Sequence, residues 1–235
     1  MKAENLITRL KALADPVNAA GMARFGINPE ETLGVPMPVI RAMAKETGKN
    51  HGLALALWAC ELHEARILAS LVDNCREVTS EQMEKWVLDF NSWDVCDQVC
   101  SNLFQKTPFA IQKALDWSKR EEVFVKRAGF VLMARIAVAD KKVPDELFER
   151  FYPLILSESG DDRPMVRKAV NWAIRQIGKR NLNLNKRAVK ISEQIRSTGT
   201  RAGRWIAADA LRELTSPKVK DRLTKRRNAK NGYNI

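Results

Sequence analysis

Helical periodicity is the feature of this sequence that most constrains its fold. Apolar residues recur every three or four positions in nearly every segment, as Leu6, Leu10 and Leu13 do near the start. No segment convincingly alternates apolar and polar residues, which is the pattern of a half-buried strand. The sequence therefore predicts an all-α fold without a sheet.

Local signals divide this pattern into short helices. Residues 79–82 fit a capping box, Ser92 is predicted to cap the next helix, and Gly48 to end an earlier one. The segment Val123–Ala139 is apolar nearly all round, as a central buried helix would be. A spacing of about 35–45 residues per helical pair predicts stacked antiparallel pairs of the HEAT kind, an α-solenoid with a concave basic cleft. An irregular helical bundle stays open as an alternative, because no consensus recurs.

The net charge of +12 is distributed unevenly along the chain. Residues 163–235 contain 20 basic and 4 acidic side chains, whereas residues 1–162 contain 20 and 24. Such asymmetry indicates a polyanionic partner, nucleic acid first and an anionic membrane second. We expect a single DNA-binding domain over residues 1–215. A basic, disordered tail over residues 216–235 is expected to add DNA affinity or only solubility.

Several classes of protein are disfavoured by composition. No run of about 18 apolar residues predicts a membrane span, and the charged N-terminal segment does not fit a secretory signal. Four cysteines without framework spacing favour a reducing, intracellular compartment. The two histidines lie far from Cys96 and Cys100 in the sequence, so neither a metal nor another cofactor is expected.

Two features of the sequence are unusual for residues whose role is only structural. Trp93, Asp97 and Cys100 occupy one face of a predicted helix, and a carboxylate one turn from an indole is unusual in a core stripe. The alternative is a packed Trp93 with Asp97 paired to a basic neighbour. Arg127 lies in the most apolar helix, where a buried charge needs a partner: Asp97, a phosphate or both. Alternatively, its head group reaches solvent.

A second stripe mixes an aromatic ring with cations. Lys168, Trp172, Arg175 and Lys179 follow the helical spacing i, i+4, i+7 and i+11. On a nucleic-acid surface the cations would meet phosphates and the ring would stack on a sugar or base. The alternative is a surface tryptophan half-covered by the stems of lysine and arginine.

Three of these segments together resemble a known family. Residues 91–97 (Asn-Ser-Trp-Asp-Val-Cys-Asp), 123–127 and 168–175 are similar to segments of the bacterial AlkD-type DNA alkylation repair enzymes. Those enzymes are HEAT-like-repeat glycosylases acting on 3-methyladenine and 7-methylguanine in DNA. The likeness extends from about residue 20 to about residue 180. It implies that Asp97 is the catalytic aspartate, that Trp93 and Trp172 flank the lesion, and that Arg127 holds the DNA backbone.

The same resemblance implies a function and its partner. Phe25 stands where some members have a tyrosine, which keeps the ring, and it joins the expected DNA-binding residues Arg163, Lys168, Arg175 and Lys179. The implied activity is a monofunctional DNA glycosylase that excises cationic N3- and N7-alkylated purines from double-stranded DNA in base excision repair. We expect a monomer in the bacterial cytoplasm, associated with the nucleoid when bound to DNA.

Two other kinds of function remain open. The chain could be a non-catalytic helical-repeat protein that binds damaged or branched DNA, or a scaffold for protein or RNA partners. Asp97 discriminates against the first, because a carboxylate beside phosphates weakens binding and a binder has no need of it. The scaffold explains neither Asp97 nor Arg127.

Overall fold

The chain folds into helices in two compact units. The computed structural model describes residues 2–27, 31–139 and 143–231, and these residues contain no strand. The all-α prediction is therefore confirmed for the described part of the chain. By internal contacts the chain divides into units of residues 1–110 and 111–235. The single domain expected over residues 1–215 stays a prediction.

The first unit is a series of short helices. They are α1 (Ala3–Ala12), α2 (Pro16–Met22), a 3-10 turn (Ala23–Phe25), α3 (Met37–Thr47), α4 (His51–Trp58), α5 (His63–Val72), α6 (Ser80–Leu88), α7 (Trp93–Asn102) and a 3-10 turn (Phe104–Lys106). Helix α5 packs against α3, α4 and α7. Each helix thus buries its apolar stripe against the neighbouring pair, as in repeat proteins.

Most of the helix ends in this unit lie at the residues that the sequence predicted. The Thr79 hydroxyl accepts a hydrogen bond from the Gln82 N–H at 3.1 Å, as the capping-box pattern predicted. Gly48 ends α3 with a positive φ of 73°. Ser92 holds the N-cap position of α7, but its side chain makes no capping hydrogen bond, so that part of the prediction is wrong.

A buried carboxylate fixes the loop that leads into α3. Glu64 on α5 is 1% exposed and accepts hydrogen bonds from the backbone N–H groups of residues 33, 34 and 35, at distances from 2.7 to 3.2 Å. The Thr32 hydroxyl donates a fourth bond at 2.6 Å. Gly34 has a positive φ, and a Cβ there would lie 2.3 Å from the Asp15 carbonyl oxygen. The loop therefore depends on both a glycine and an ionised side chain.

The second unit is built around one long buried helix. Its helices are α8 (Ala110–Trp117), α9 (Val123–Ala139), α10 (Asp145–Glu149), α11 (Tyr152–Ser157), a 3-10 turn (Glu158–Gly160), α12 (Pro164–Gly178), α13 (Leu182–Ser197), α14 (Arg201–Leu214) and α15 (Pro217–Asn231). Helix α12 packs against α9, α13 and α14. Helix α9 has the predicted bounds and is buried over most of its length, as its apolar composition indicated. At Gly129 a Cβ would lie 2.4 Å from the Ser118 backbone nitrogen, so the two backbones pack without a side chain between them.

The C-terminal segment differs from the prediction of a disordered tail. Residues Pro217–Asn231 form α15, and residues 232–235 of the predicted tail lie outside the described residues. Val219 and Leu223 are one turn apart and are 6% and 1% exposed, in a helix that packs on α13 and α14. Two apolar side chains at this spacing, among many charges, order the helix.

The role of Glu64 yields the first prediction. Replacing Glu64 with Gln sets an amide NH2 against the Leu33 N–H, which now donates to both carboxylate oxygens, and removes the negative charge that the other donors share. We expect the free energy of unfolding to fall by about 1–3 kcal/mol, because a buried donor then faces another donor and the remaining bonds lose their charge. Urea denaturation followed by circular dichroism measures this change.

Glu46→Gln is the matched control. Glu46 is exposed and pairs only with exposed Arg9, so we expect a change below about 0.5 kcal/mol. Equal stability losses in the two variants would contradict the role given to Glu64.

Candidate nucleic-acid interface

The first turn of α7 brings two of the predicted site residues together. Trp93 begins α7 and is half-buried, and its indole Nε1 donates to the Phe25 carbonyl oxygen at 2.9 Å. Phe25 ends a 3-10 turn, and 66% of its surface is exposed. An exposed aromatic side chain is therefore tied through its backbone to the tryptophan that the sequence singled out.

Asp97 lies one turn further along α7 and is half-buried. Its neighbour Cys96 and the next position on its face, Cys100, are both buried. The carboxylate is thus at the border between the packed core of this unit and its surface. A partly desolvated carboxylate in this position can interact strongly with a positive charge that approaches it.

Two hydrogen-bonded pairs hold the start of α7 in place. The His63 Nε2 atom lies 2.9 Å from an Asp94 carboxylate oxygen, and His63 is 5% exposed. The Asn91 side chain donates to Glu31, whose carbonyl oxygen accepts from the His63 N–H at 3.1 Å. The orientation of Trp93 and Asp97 is therefore set by residues of α5 and of the segment before α3.

Asp94 has a perturbed pKa for a visible reason. Burial alone would raise the pKa of this carboxyl group, but the hydrogen bond and charge of His63, with the Val95 N–H, outweigh it and hold the pKa below its ordinary value of 3.8. Asp94 is therefore an ionised anchor, distinct from Asp97 three residues later.

In the second unit, both basic residues of α9 are buried and have partners. Lys126 is 4% exposed and pairs with Glu158 at 2.7 Å, with Glu121 and Asp161 within 4 Å. Arg127 is 5% exposed and donates from Nη1 to the Met165 carbonyl oxygen at 2.7 Å, in the first turn of α12. The expectation that these charges need partners is met, and Arg127 does not reach out to solvent. A contact of Arg127 with Asp97 or with a phosphate stays a prediction.

The stripe on α12 is less free than its sequence indicated. Arg175 pairs with Asp209 at 2.5 Å and lies 3.1 Å from Glu213, which also pairs with Lys179 at 2.7 Å. Both acidic residues lie on α14. Their carboxylates neutralise part of the charge that the sequence pattern made available to a polyanionic partner.

Trp172 is half-buried between these cations and Lys168. With the Gln176 amide in the orientation that satisfies its neighbours, its oxygen accepts from the Trp172 Nε1 atom at 2.9 Å and from the Lys179 Nζ atom at 3.2 Å. Lys168 is exposed and has no ion pair among the residues that the structure describes. Within the described residues, this stripe therefore presents one cation without an ion pair, Lys168, and the half-buried indole ring of Trp172.

Arg163, at the N-terminus of α12, is also engaged. Its guanidinium group binds Asp161 through two nitrogens, at 2.5 and 3.0 Å, and donates to the Glu121 carbonyl oxygen at 2.6 Å. The hydrogen bonds that Arg163 donates to Asp161 raise the pKa of Arg163. An arginine held in this way can still contact a phosphate, but its position is set by the protein.

Trp205 on α14 was missed by the sequence analysis. Its side chain is 40% exposed, and the Arg167 guanidinium carbon lies 4.8 Å from the ring centroid. Arg201 and Arg204, in the same turn of α14, are exposed. The missed signal was the run Arg201-Ala-Gly-Arg204-Trp205, which repeats the combination of aromatic ring and cations found around Trp172.

The described residues contain neither a cluster of metal ligands nor a helix that could span a membrane. In residues 2–27, 31–139 and 143–231, no three His, Cys, Asp or Glu side chains are placed to hold a metal ion. The cysteines are free thiols. The same part of the chain has no helix with the length and apolar character needed to cross a membrane.

Comparisons with known proteins place this geometry in context. The family model described as DNA alkylation repair enzyme matches residues 6–214. A solved structure from "a new family of proteins related to the HEAT-like repeat DNA glycosylases with affinity for branched DNA structures" is similar, with a TM-score of 0.74 and 16% identity over 83% of each chain. No curated protein matches the chain. The predicted HEAT-like fold and the predicted family are therefore confirmed.

The His63–Asp94 pair yields a prediction about pH. Because the pKa of Asp94 is lowered in the fold, its contribution to stability is present above the ordinary value of 3.8 and is lost as the pH falls through the lowered pKa. We expect Asp94→Asn to lower the free energy of unfolding by about 1 kcal/mol at pH 7 and by progressively less at acid pH. Urea titrations between neutral and acid pH measure the difference.

Asp162→Asn removes a carboxylate from an exposed position and is the control. Its stability should follow that of the wild type at every pH. A loss of stability in Asp94→Asn that stays constant down to acid pH would contradict the pairing.

Proposed function

Since the chain belongs to the DNA alkylation repair enzyme family, we propose that it is a monofunctional DNA glycosylase. Its substrate is double-stranded DNA that contains cationic N3- or N7-alkylated purines. The observation that supports this proposal best is Asp97, a half-buried carboxylate one helical turn from Trp93 in a strongly basic protein. The protein acts as a monomer and without a cofactor.

Asp97 suits the chemistry of this reaction. The bond between the deoxyribose C1′ and the base nitrogen breaks, and the alkylated base leaves as a neutral molecule because it was already cationic. The sugar becomes oxocarbenium-like, and a nearby carboxylate stabilises that charge. Asp97 positions a water molecule and accepts a proton from it as the water oxygen bonds to C1′. The product is an abasic site.

The two tryptophans are proposed to contact the lesion through their ring faces. The N–H of Trp93 is bonded to Phe25 and that of Trp172 to Gln176. The π faces therefore remain for cation–π contact with the positive base or sugar, at about 0.5–2 kcal/mol each. Selectivity for cationic lesions follows, because a neutral base leaves far less readily.

DNA is proposed to be held by cations on α12 and α14. Lys168 contacts phosphates, Arg127 holds the first turn of the helix that carries this surface, and the stacked pair of Arg167 and Trp205 extends the surface to α14. Arg163, Arg175 and Lys179 contribute less affinity than their charge alone suggests, because carboxylates of the protein already bind them.

The second candidate function is binding of branched DNA without excision. It is favoured by the similar solved structure, whose family is described as having affinity for branched DNA structures. The cations and exposed rings serve either function. Asp97 separates them, since a carboxylate next to phosphates weakens binding.

Base release separates the two functions directly. The wild type should release methylated purines from methylated duplex DNA, and Asp97→Asn should lower the rate at least about 100-fold, because the developing sugar charge loses its counter-ion. Binding to undamaged duplex should be unchanged or tighter in the variant. Chromatography of released bases and fluorescence anisotropy measure the two quantities.

Asp116→Asn, which changes an exposed carboxylate on α8, is the control and should keep the wild-type rate. No base release by the wild type, together with tight binding of branched DNA, would support the second function. Equal release by wild type and Asp97→Asn would leave an enzyme whose mechanism does not use Asp97.

The carboxylates of α14 give an independent test of the DNA-binding face. The double variant Asp209→Asn/Glu213→Gln frees Arg175 and Lys179, so we expect tighter binding to duplex DNA and a dependence on salt that is steeper by about one unit of slope. The single variants Arg175→Ala and Lys179→Ala should weaken binding and flatten that dependence. Anisotropy titrations at several salt concentrations measure both.

Asp162→Asn/Glu193→Gln is the matched control, since it removes two acidic charges from exposed positions of the same unit. If it tightens binding as much as the α14 variant, only net charge matters. In that case this stripe of α12 does not face the DNA.

A further inference from the structure

We propose that a basic groove in the second unit, which begins at the end of the α12 stripe and extends to α15, binds the phosphodiester backbone of DNA. The proposal rests on the proposed function only in taking DNA as the ligand. The groove has a volume of about 1200 Å³ and lies among the end of α9, the turn from α12 to α13, and α15. We call it the C-terminal groove. Its charged lining residues are Asp145, Lys179, Arg180, Lys186, Arg222 and Arg227.

The lining is strongly positive, because its acidic residue is occupied. Five of the six charged residues are cationic. The Asp145 carboxylate accepts from the Asn181 and Asn183 side chains, at 2.8 and 3.0 Å, one bond to each oxygen. Asp145 thus orients two amides of the groove wall and has less capacity to bind the lysines and arginines opposite.

Three of the cations have no ion pair among the residues that the structure describes. Lys186 on α13, and Arg222 and Arg227 on α15, are all exposed. By contrast, Lys179 at the edge of the groove and Arg175 on the same helix are paired with carboxylates of α14. Cations left together without carboxylates repel one another, and an anion between them removes that repulsion.

One wall of the groove is held rigidly. Arg180 donates to the carbonyl oxygens of Ala137 and Val143, at 3.2 and 2.5 Å, and its guanidinium carbon lies 4.8 Å from the centre of the Phe148 ring. The opposite wall is α15, which is anchored by Val219 and Leu223. The anchored helix therefore places Arg222 and Arg227 in a groove instead of in a disordered tail.

The shape and the charge favour a chain of phosphates as the ligand. The groove carries exposed cations on two helices, Lys186 on α13 and Arg222 and Arg227 on α15. Separate cations along an open groove suit the regularly spaced charges of a nucleic-acid backbone. A free phosphate or pyrophosphate shares this chemistry and is distinguished by experiment.

The test compares two pairs of charge-removing substitutions on the same helix. Arg222→Gln/Arg227→Gln changes residues that line the groove, and Lys218→Gln/Lys220→Gln removes the same charge from exposed positions outside it. Binding of the full chain to an undamaged duplex is measured by anisotropy between about 50 and 200 mM salt.

We expect the groove pair to weaken binding about tenfold at about 0.1 M salt and to reduce the slope of log affinity against log salt by about 1–2. The outside pair should change affinity less than about threefold. Equal effects of the two pairs, or no effect of the groove pair, would overturn the proposal.

Two further measurements separate the remaining outcomes. If inorganic phosphate or pyrophosphate raises the thermal midpoint of the wild type but not of the groove pair, and DNA binding is the same in both, the ligand is a free phosphate and the proposal is wrong. Base release at saturating enzyme should be the same in the groove pair and the wild type. If the wild type releases no base, the glycosylase proposal fails, while the binding comparison still decides about the groove.

Discussion

Hydrogen bonds and ion pairs between residues one repeat apart connect the helices in each unit. The Trp58 indole donates to Asp89 and His63 lies against Asp94, both 31 residues on, and Lys126 pairs with Glu158, 32 residues on. Arg175 pairs with Asp209 after 34 residues. A helix in such an array has polar groups that solvent cannot reach once the next repeat is packed, so the next repeat must supply their partners. The positions of Trp93, Asp97 and Trp172 all depend on these bonds, because the helices that bear them are fixed in this way.

The sequence predicted the features that depend on local patterns. The bounds of α9, the stop at Gly48 and the cap at Thr79 follow from residues within one or two turns of each other. The partners of Arg175 and Lys179 could not be predicted, because they lie about 34 residues away and no recurring consensus gives the register of the repeats. The helix over Pro217–Asn231 was missed because its composition is highly charged, and its order depends on two apolar residues that meet the rest of the unit. Among the site residues, Phe25 was named only through a family resemblance, which did not predict that its carbonyl oxygen accepts a hydrogen bond from Trp93.

The basic residues of this protein fall into two groups with different consequences for DNA. One group is bound by carboxylates of the protein and serves mainly to join helices. The other group, which includes Lys168, Lys186, Arg222 and Arg227, has no ion pair among the described residues and is available to phosphates. Net charge therefore overstates the number of phosphates that the protein can neutralise, and the second group should account for most of the salt dependence of binding.

Under the proposed function, the hydrogen bonds made by the two indole N–H groups affect how the protein finds lesions along DNA. Trp93 gives its N–H to a backbone carbonyl and Trp172 gives its N–H to Gln176. These two residues therefore have no donor left to read the edge of a base pair, and every base offers them a similar face. Contacts of this kind make the two rings indifferent to sequence context. Under the proposed function, a lesion can then be recognised at any position along the DNA, and many encounters with intact DNA precede each lesion found.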